Sequence, residues 1–286
     1  MSIEIVMSLE CAALTDVGRV REQNEDALCF DEALGVVVLA DGMGGHKAGE
    51  VASHLAVETV MAYLRKYVLY FSTQAIHFSI PELLQEAILQ ANEAIFKQSH
   101  RDQACQGMGT TLVAAWFFPR VMYIANVGDS RLYRFRHATL ERMTRDDTVL
   151  QDLIDKGLLT DKEIEEFRQK NLLTRALGVD GELKVSIGEA GWKEGDLYLL
   201  CSDGLTDMLR ETEIGGILTE NGDVALTEMA RRLVAAANEK GGRDNISVLL
   251  ARPMGEGEGE NGAEKREEET MTGWWRSLLN WKGFTS

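Results

Sequence analysis

Cysteine is sparse. Four stand at 11, 29, 105 and 201, with no CxxC and no metal-ligand spacing. Few of the five histidines lie near the motifs described below, so a zinc site is not expected, and the pattern suits a reducing cytosol. Cys29 and Cys201 fall in apolar strand-like runs and are expected to be small buried hydrophobes. Long apolar runs are also missing. No stretch approaches the roughly 18 uninterrupted apolar residues of a spanning helix. The opening MSIEIVMSLECAAL has no basic segment and no long apolar core, so no signal peptide is expected. Positive charge is in short supply, with 30 Lys and Arg against 46 Asp and Glu, a net charge of −16 and a pI of about 4.8. That surplus repels polyanions and argues against nucleic acid as a partner. A phosphorylated ligand stays possible, because a local cation can outweigh the global field. No internal repeat is found. The expectation is a cytoplasmic protein without a transmembrane segment.

What is present is ordinary for a soluble globular chain: 45% hydrophobic and 27% charged residues over 286 positions, ample for a buried core. Strand-like runs occur at 9–15, 26–30, 35–40, 110–118, 120–127, 131–136, 185–190, 196–201 and 246–251. WFFPRVMYIANVG predicts two antiparallel strands joined at Pro119-Arg120. Helical periodicity marks 47–69, 81–98 and 223–239. Strands and helices are grouped rather than alternating, which predicts an α+β fold with helices outside antiparallel sheets.

Two regions look detachable. Residues 146–180 are polar and helical, and read as an inserted flap. Residues 255–272 begin with GEGEGENGAEKREEET, which has seven acidic and two basic residues and no large apolar one, and read as a disordered acidic linker after a domain spanning 1–254. The Trp-rich tail, 273–286, places Trp274, Leu278 and Trp281 on one helical face. A lipid interface, a partner's groove, and folding back or disorder all remain open for it.

The chemistry lies in carboxylates at strand ends. VVVLADGMGGHKAGE, LYLLCSDGL and, more loosely, YIANVGDSR each run an apolar strand towards an aspartate flanked by small residues. Asp41, Asp203 and Asp244 sit where a rigid sheet edge can make them converge. Bare carboxylates brought together raise one another's pKa unless a cation lies between them. Mg²⁺ or Mn²⁺, hard ions with oxygen ligands, suit that need. Gly42, Gly44 and Gly45 would let the backbone turn and offer a carbonyl. Taken singly, each Asp-Gly is also a common turn.

The ordered set resembles the bacterial branch of the metal-dependent Ser/Thr protein phosphatases, type 2C. It comprises TDVGRVREQNEDA (15–27), VLADGMGGHKAGEVAS (38–53), GMGTTLVAA (107–115), ANVGDSRLYRFR (125–136), LLTRALG (172–178), LLCSDGLTDML (199–209) and GGRDNISVLL (241–250), covering roughly residues 9–252. The resemblance implies a four-layer α-β-β-α sandwich, with a two-metal centre at one edge. It makes Asp41 the ligand bridging two Mn²⁺ or Mg²⁺ ions, with the Gly42 carbonyl beside it. Asp203 and Asp244 complete one ion; Glu25 and Asp26 support the other, mostly through water. Asp129 with Asp203 would hold a third, weaker ion, and Arg21 would grip the substrate phosphate. The implied activity is hydrolysis of phosphoserine and phosphothreonine on proteins by a hydroxide bridging the ions, reversing a cognate bacterial Ser/Thr kinase. The alternative is a catalytically weak domain that binds phosphoproteins and carries an interaction tail.

The chain departs from the family in places. Met43 stands where many eukaryotic members have histidine, leaving no assigned general acid; for His46 nearby a helix-start or surface role is expected. Asp147 replaces a common histidine, and the flap LTDKEIEEFRQKN lacks the usual His-Pro. Cys201 has no phosphate loop and is read as a structural thiol. GGHKAGEV has Glu50-Val51 where a P-loop needs Lys-Ser/Thr, and GMGTTL lacks a third dinucleotide glycine.

Overall fold

The computed structural model describes residues 8–44, 47–71, 79–167, 169, 171–220, 222 and 224–255. Its strands are β1 (Ser8–Asp16), β2 (Asp26–Asp31), β3 (Val36–Met43), β4 (Gly109–Thr110), β5 (Leu112–Phe118), β6 (Val121–Val127), β7 (Arg131–Arg136), β8 (Thr139–Arg142), β9 (Ser186–Gly191), β10 (Leu197–Cys201) and β11 (Ile246–Met254). The helices are α1 (Lys47–Phe71), α2 (Ile80–Arg101), α3 (Val149–Asp155), α4 (Asp161–Glu166), α5 (Asp203–Thr206), α6 (Glu211–Glu220) and α7 (Leu226–Glu239). One antiparallel sheet runs β1-β11-β10-β7-β8; the other runs β2-β3-β5-β6-β9, with β4 beside β3.

Alternation along the strands assigns the layers. Val37, Leu39, Val113 and Phe117 of one sheet pack against Leu132, Tyr198, Leu200 and Leu249 of the other. Their neighbours Val36, Val38, Ala114 and Trp116 face Val60 and Leu64 of α1 and Leu84 and Ile88 of α2. On the far side Leu199, Val248 and Leu250 meet Ile214 of α6 and Leu233 of α7. Both faces of the central strands are therefore covered, which is why they read as unbroken apolar runs. The predicted α+β four-layer sandwich is the observed architecture.

Local signals match the elements. Phe118 pairs with Val121 across the Pro119-Arg120 turn, where Arg120 takes φ 69°. Ser79 and Glu82 form a reciprocal capping box at the start of α2. One sequence expectation needs correcting: Cys29 is only half-buried, because β2 is an edge strand with a neighbour on one side. Cys201, on central β10, is fully buried, and burial pushes its thiol up to about 12, which suits a structural role.

Between β8 and β9 lie α3 and α4, the helical part of the flap. Its two ends are stitched into the sandwich. The Asp147 amide donates to the Gly128 carbonyl (2.9 Å), the Thr174 amide to the Asp147 carbonyl (2.8 Å), and the Leu177 amide to the Thr110 carbonyl (2.8 Å). Asp147 is buried and pairs with Arg175, while accepting from the Gly128 amide (3.1 Å). The histidine-to-aspartate departure thus becomes an ion pair between the flap's two ends. Leu177, with no exposed surface, belongs to the core. The acidic linker beyond Gly255 and the Trp-rich tail lie outside the described residues, as do Gly45 and His46.

Candidate metal centre

Asp41 ends the apolar run of β3, and the β2–β3 register places Asp26 directly opposite it. Like charges facing each other across a strand pair are destabilising, so this register has to be enforced elsewhere. The end of β3 is pinned: the Asp41 amide donates to Thr111 Oγ1 (3.0 Å), and its carbonyl accepts from the Thr111 amide (2.9 Å) and Thr110 Oγ1 (2.8 Å). Thr111 Oγ1 in turn meets Ser130 Oγ at 2.7 Å. Asp26 is held from the other sheet, where Ser202 Oγ donates to its carboxylate at 2.9 Å.

Asp203 opens α5 immediately after β10, and Asp244 lies just before β11, the strand paired with β10. Asn245 organises the rest. Its amide nitrogen donates to the carbonyls of Val17 (3.0 Å) and Gln23 (2.9 Å), and its oxygen accepts from the Glu25 amide (2.8 Å). The 17–25 loop, carrying Arg21 and Glu25, is thereby folded over the strand ends. Arg21 Nη2 reaches Asp244 Oδ2 at 2.7 Å. Gly42, near the end of β3, tolerates no side chain: a Cβ there would lie 2.2 Å from the Gly49 carbonyl and 2.5 Å from that of Glu25. At Gly49 it would meet the Glu25 carboxylate at 2.1 Å. Asp129, buried in the β6–β7 loop, follows Gly128, whose φ of 97° favours glycine.

The charges are mutually unfavourable. Burial pushes Asp41 well up from the usual carboxylate range, and Asp26, Asp203, Asp129 and Asp244 add to it. Asp203 is raised by burial, then by Asp129, Asp207, Asp244 and Asp26. Burial brings Asp26 to about 6 despite hydrogen bonds from Ser247 and Ser202, with Asp244 adding to the rise. Asp129 stands at about 7 through burial and Asp146, against the pull of Arg131. Among the described residues no Lys or Arg forms an ion pair with Asp26, Asp41, Asp129 or Asp203. Nor do three acidic, histidine or cysteine side chains among them already stand at chelating separation. Three of the carboxylates are instead taken by side-chain donors, Asp244 by Arg21, Asp203 by Asn171 and Asp26 by Ser202. A group of buried and half-buried carboxylates with unbalanced negative charge fits hard divalent ions and nothing softer.

Four residues that sequence reasoning did not assign contribute here. Asn245 and Ser202 fix the loops, Asp207 adds a carboxylate beside Asp203, and Asn171 donates to both Asp203 and Asp207 at 2.9 Å each. Asp207 was visible as a further acid in LLCSDGLTDML; an isolated Asn in a polar flap carries no comparable signal.

The chain matches the family described as Protein phosphatase 2C over residues 19–251. It belongs to that family. A curated member, the serine/threonine phosphatase stp of Listeria monocytogenes, is 38% identical over 239 residues, which are 82% of this chain and 92% of that protein. The Mycobacterium tuberculosis protein phosphatase PstP is 38% identical over 248 residues, 86% of this chain and 45% of PstP. Among solved structures, M. tuberculosis PstP superposes with a TM-score of 0.76 at 35% identity, covering 86% of this chain and 98% of that one. The PstP catalytic domain in complex with two manganese ions gives 0.75 at 34% identity, covering 87% and 100%. The serine/threonine phosphatase Stp1 of Staphylococcus aureus gives 0.76 at 30%, covering 86% and 96%. The enzyme class expected from the sequence, a protein-serine/threonine phosphatase, is the family's own. No helix among the described residues is long and apolar enough to cross a membrane.

Proposed function

We propose that this 2C phosphatase removes phosphate from phosphoserine and phosphothreonine on protein substrates of a bacterial Ser/Thr kinase. In this reading Asp41, the Gly42 carbonyl, Asp203 and Asp244 hold two Mn²⁺ or Mg²⁺ ions, and Glu25 and Asp26 support them. Asp129, with Asp203 and Asp207 beside it, would take a third, weaker ion. Bound ions of this kind polarise phosphoryl oxygens and acidify water. The observation that carries the reading is the convergence of Asp26 and Asp129, both buried, with the partly exposed Asp41 and Asp203, mutually repelling and with no ion pair to a Lys or Arg among the described residues.

The chain's own residues supply the remainder. Arg21 is exposed at the mouth, on a loop anchored by Asn245, with its guanidinium already on a metal-site carboxylate. Exchanging that carboxylate for a phosphoryl group keeps the charge-assisted fork satisfied and places the phosphate beside Asp244. Two sheets packed to full burial give the aspartates rigid mounts, so little reorganisation is needed at the moment of reaction. Met43 and Cys201 offer no proton at neutral pH, the thiol because burial raises it to about 12. The domain reading is a catalytic unit over 1–254 with a flap near 146–180. The test is turnover of a phosphothreonine peptide with Mn²⁺, with Mg²⁺ and with chelator. Activity that persists in chelator would overturn it.

A further inference from the structure

A groove of about 850 Å³ leads from Asp129 and Asp203 to the flap, where Ile154, Phe167 and Leu172 form an apolar wall. Phe167 stands in the stretch where the flap departs from the family's usual His-Pro. Three arginines line this groove: Arg131, Arg142 and Arg243. Two are committed. Arg131 makes a bidentate contact to Asp146 at 2.7 and 3.1 Å, and Arg142 is held by the Thr144 carbonyl (2.8 Å), Gln151 (3.0 Å) and Asp146 (3.5 Å). Arg243 is exposed and makes no ion pair or side-chain hydrogen bond among the described residues.

Its mount is rigid. Gly241 and Gly242 adopt φ of 126° and 46°, the Gly242 carbonyl accepts from the Arg19 amide at 2.7 Å, and Asn245 two residues on is pinned by three hydrogen bonds. On such a loop the backbone is already placed, so only side-chain freedom is lost when the guanidinium meets a ligand. The chain as a whole carries −16 and repels acidic peptides at long range, so attraction has to come from contact inside the groove. Arg243 is the lining cation with its charge uncommitted.

Building on the phosphatase reading, we infer that Arg243 reads a second anionic group on the substrate, a carboxylate or a second phosphate on a residue flanking the phosphorylated one. The flanking chain would lie in the groove between the strand ends and the flap wall.

The experiment compares phosphothreonine peptides with Ala, Glu, phosphoserine or Lys scanned through the flanking positions, at low salt with Mn²⁺. Binding of the non-hydrolysable phosphonate versions is read in parallel by fluorescence polarisation. The wild type should favour at least one acidic-flanked peptide over its Ala version by about threefold, the scale of an exposed ion pair, mainly through KM. The Glu and phosphoserine arms separate the two sources of charge. Arg243→Ala should bring that ratio to about one, and Arg243→Glu should reverse it in favour of Lys. Because each ratio is internal to one variant, a partly destabilised protein still reports. Turnover with no acidic preference, or the same preference in Arg243→Ala, would overturn this inference alone. Absence of turnover on every peptide would overturn the phosphatase reading beneath it as well.

Discussion

Gly204 and Asn245 meet backbone to backbone: a Cβ on Gly204 would lie 1.9 Å from the Asn245 carbonyl oxygen. Each residue directly follows an aspartate of the proposed metal site, Asp203 and Asp244. The contact therefore sets how near those two carboxylates come, and it exists only because residue 204 has no side chain. Gly204→Ala would have to part the start of α5 from β11. Overpacking of this kind costs about 3 kcal/mol or more when backbone must move, and manganese affinity should fall with it. Urea unfolding and calorimetric titration would check this; a loss below about 1 kcal/mol would mean that the loops give way easily.

Asp41→Asn should separate function from stability. Removing the ligand expected to serve both ions should lower turnover by about 10²-fold or more, the scale of losing a preorganised electrostatic group. In metal-free protein the same change removes a half-buried carboxylate whose ionisation is opposed by desolvation and by four neighbouring aspartates. The melting temperature of the apo variant should therefore rise, and calorimetry with and without Mn²⁺ measures both effects.

The apo protein should lose stability as pH rises. Burial raises Asp26 to about 6 and Asp129 to about 7 in the folded protein, against about 3.9 for an unperturbed aspartate. The folded state thus holds more protons than the unfolded chain between those limits, so unfolding free energy falls across that window. Thermal melts in chelator should drop between about pH 4.5 and about pH 7.5, and added Mn²⁺ should lift the upper end most. A flat profile in chelator would contradict the shared burial of these carboxylates.

Asn171→Ala should loosen the flap. The Asn171 amide is a direct hydrogen-bond link from the flap to Asp203 and Asp207. Without it, hydrogen exchange over 149–171 should quicken while the sandwich strands stay protected. Unchanged exchange would show that the remaining contacts, among them Arg145 with Asp152 and Asp155 and Arg175 with Asp147, hold the flap without it.

If Arg21 grips the ground-state phosphate as proposed, Arg21→Ala should raise KM more than it lowers kcat. Its pair with Asp244 is exposed, with side chains 51% and 34% accessible. Such pairs contribute about 0–1 kcal/mol, so the melting temperature should hardly move. A kcat loss with KM unchanged would place Arg21 in the transition state alone.

Much of this protein can be read from its order of residues, and for a definite reason. Strands covered on both faces must be apolar throughout, so β3, β5, β10 and β11 announce themselves, and an aspartate ending such a run stands out against it. Asp41 and Asp203 stood out as candidates after such runs and Asp244 before one, with the glycine at 42 beside Asp41, and the ordered motifs carried the family. Residues whose role is to fix other residues left no such mark. Asn245 holds the 17–25 loop across more than 220 positions of chain, Ser202 holds Asp26 from the opposite sheet, and Asn171 reaches down from the flap. The half-burial of Cys29 was likewise decided by β2 falling at a sheet edge. Periodicity and composition record which face of an element is dry. Which distant amide meets which carbonyl, and which arginine is left without an acid, is decided only once both sheets are packed, because those contacts depend on loops whose separation no local pattern encodes.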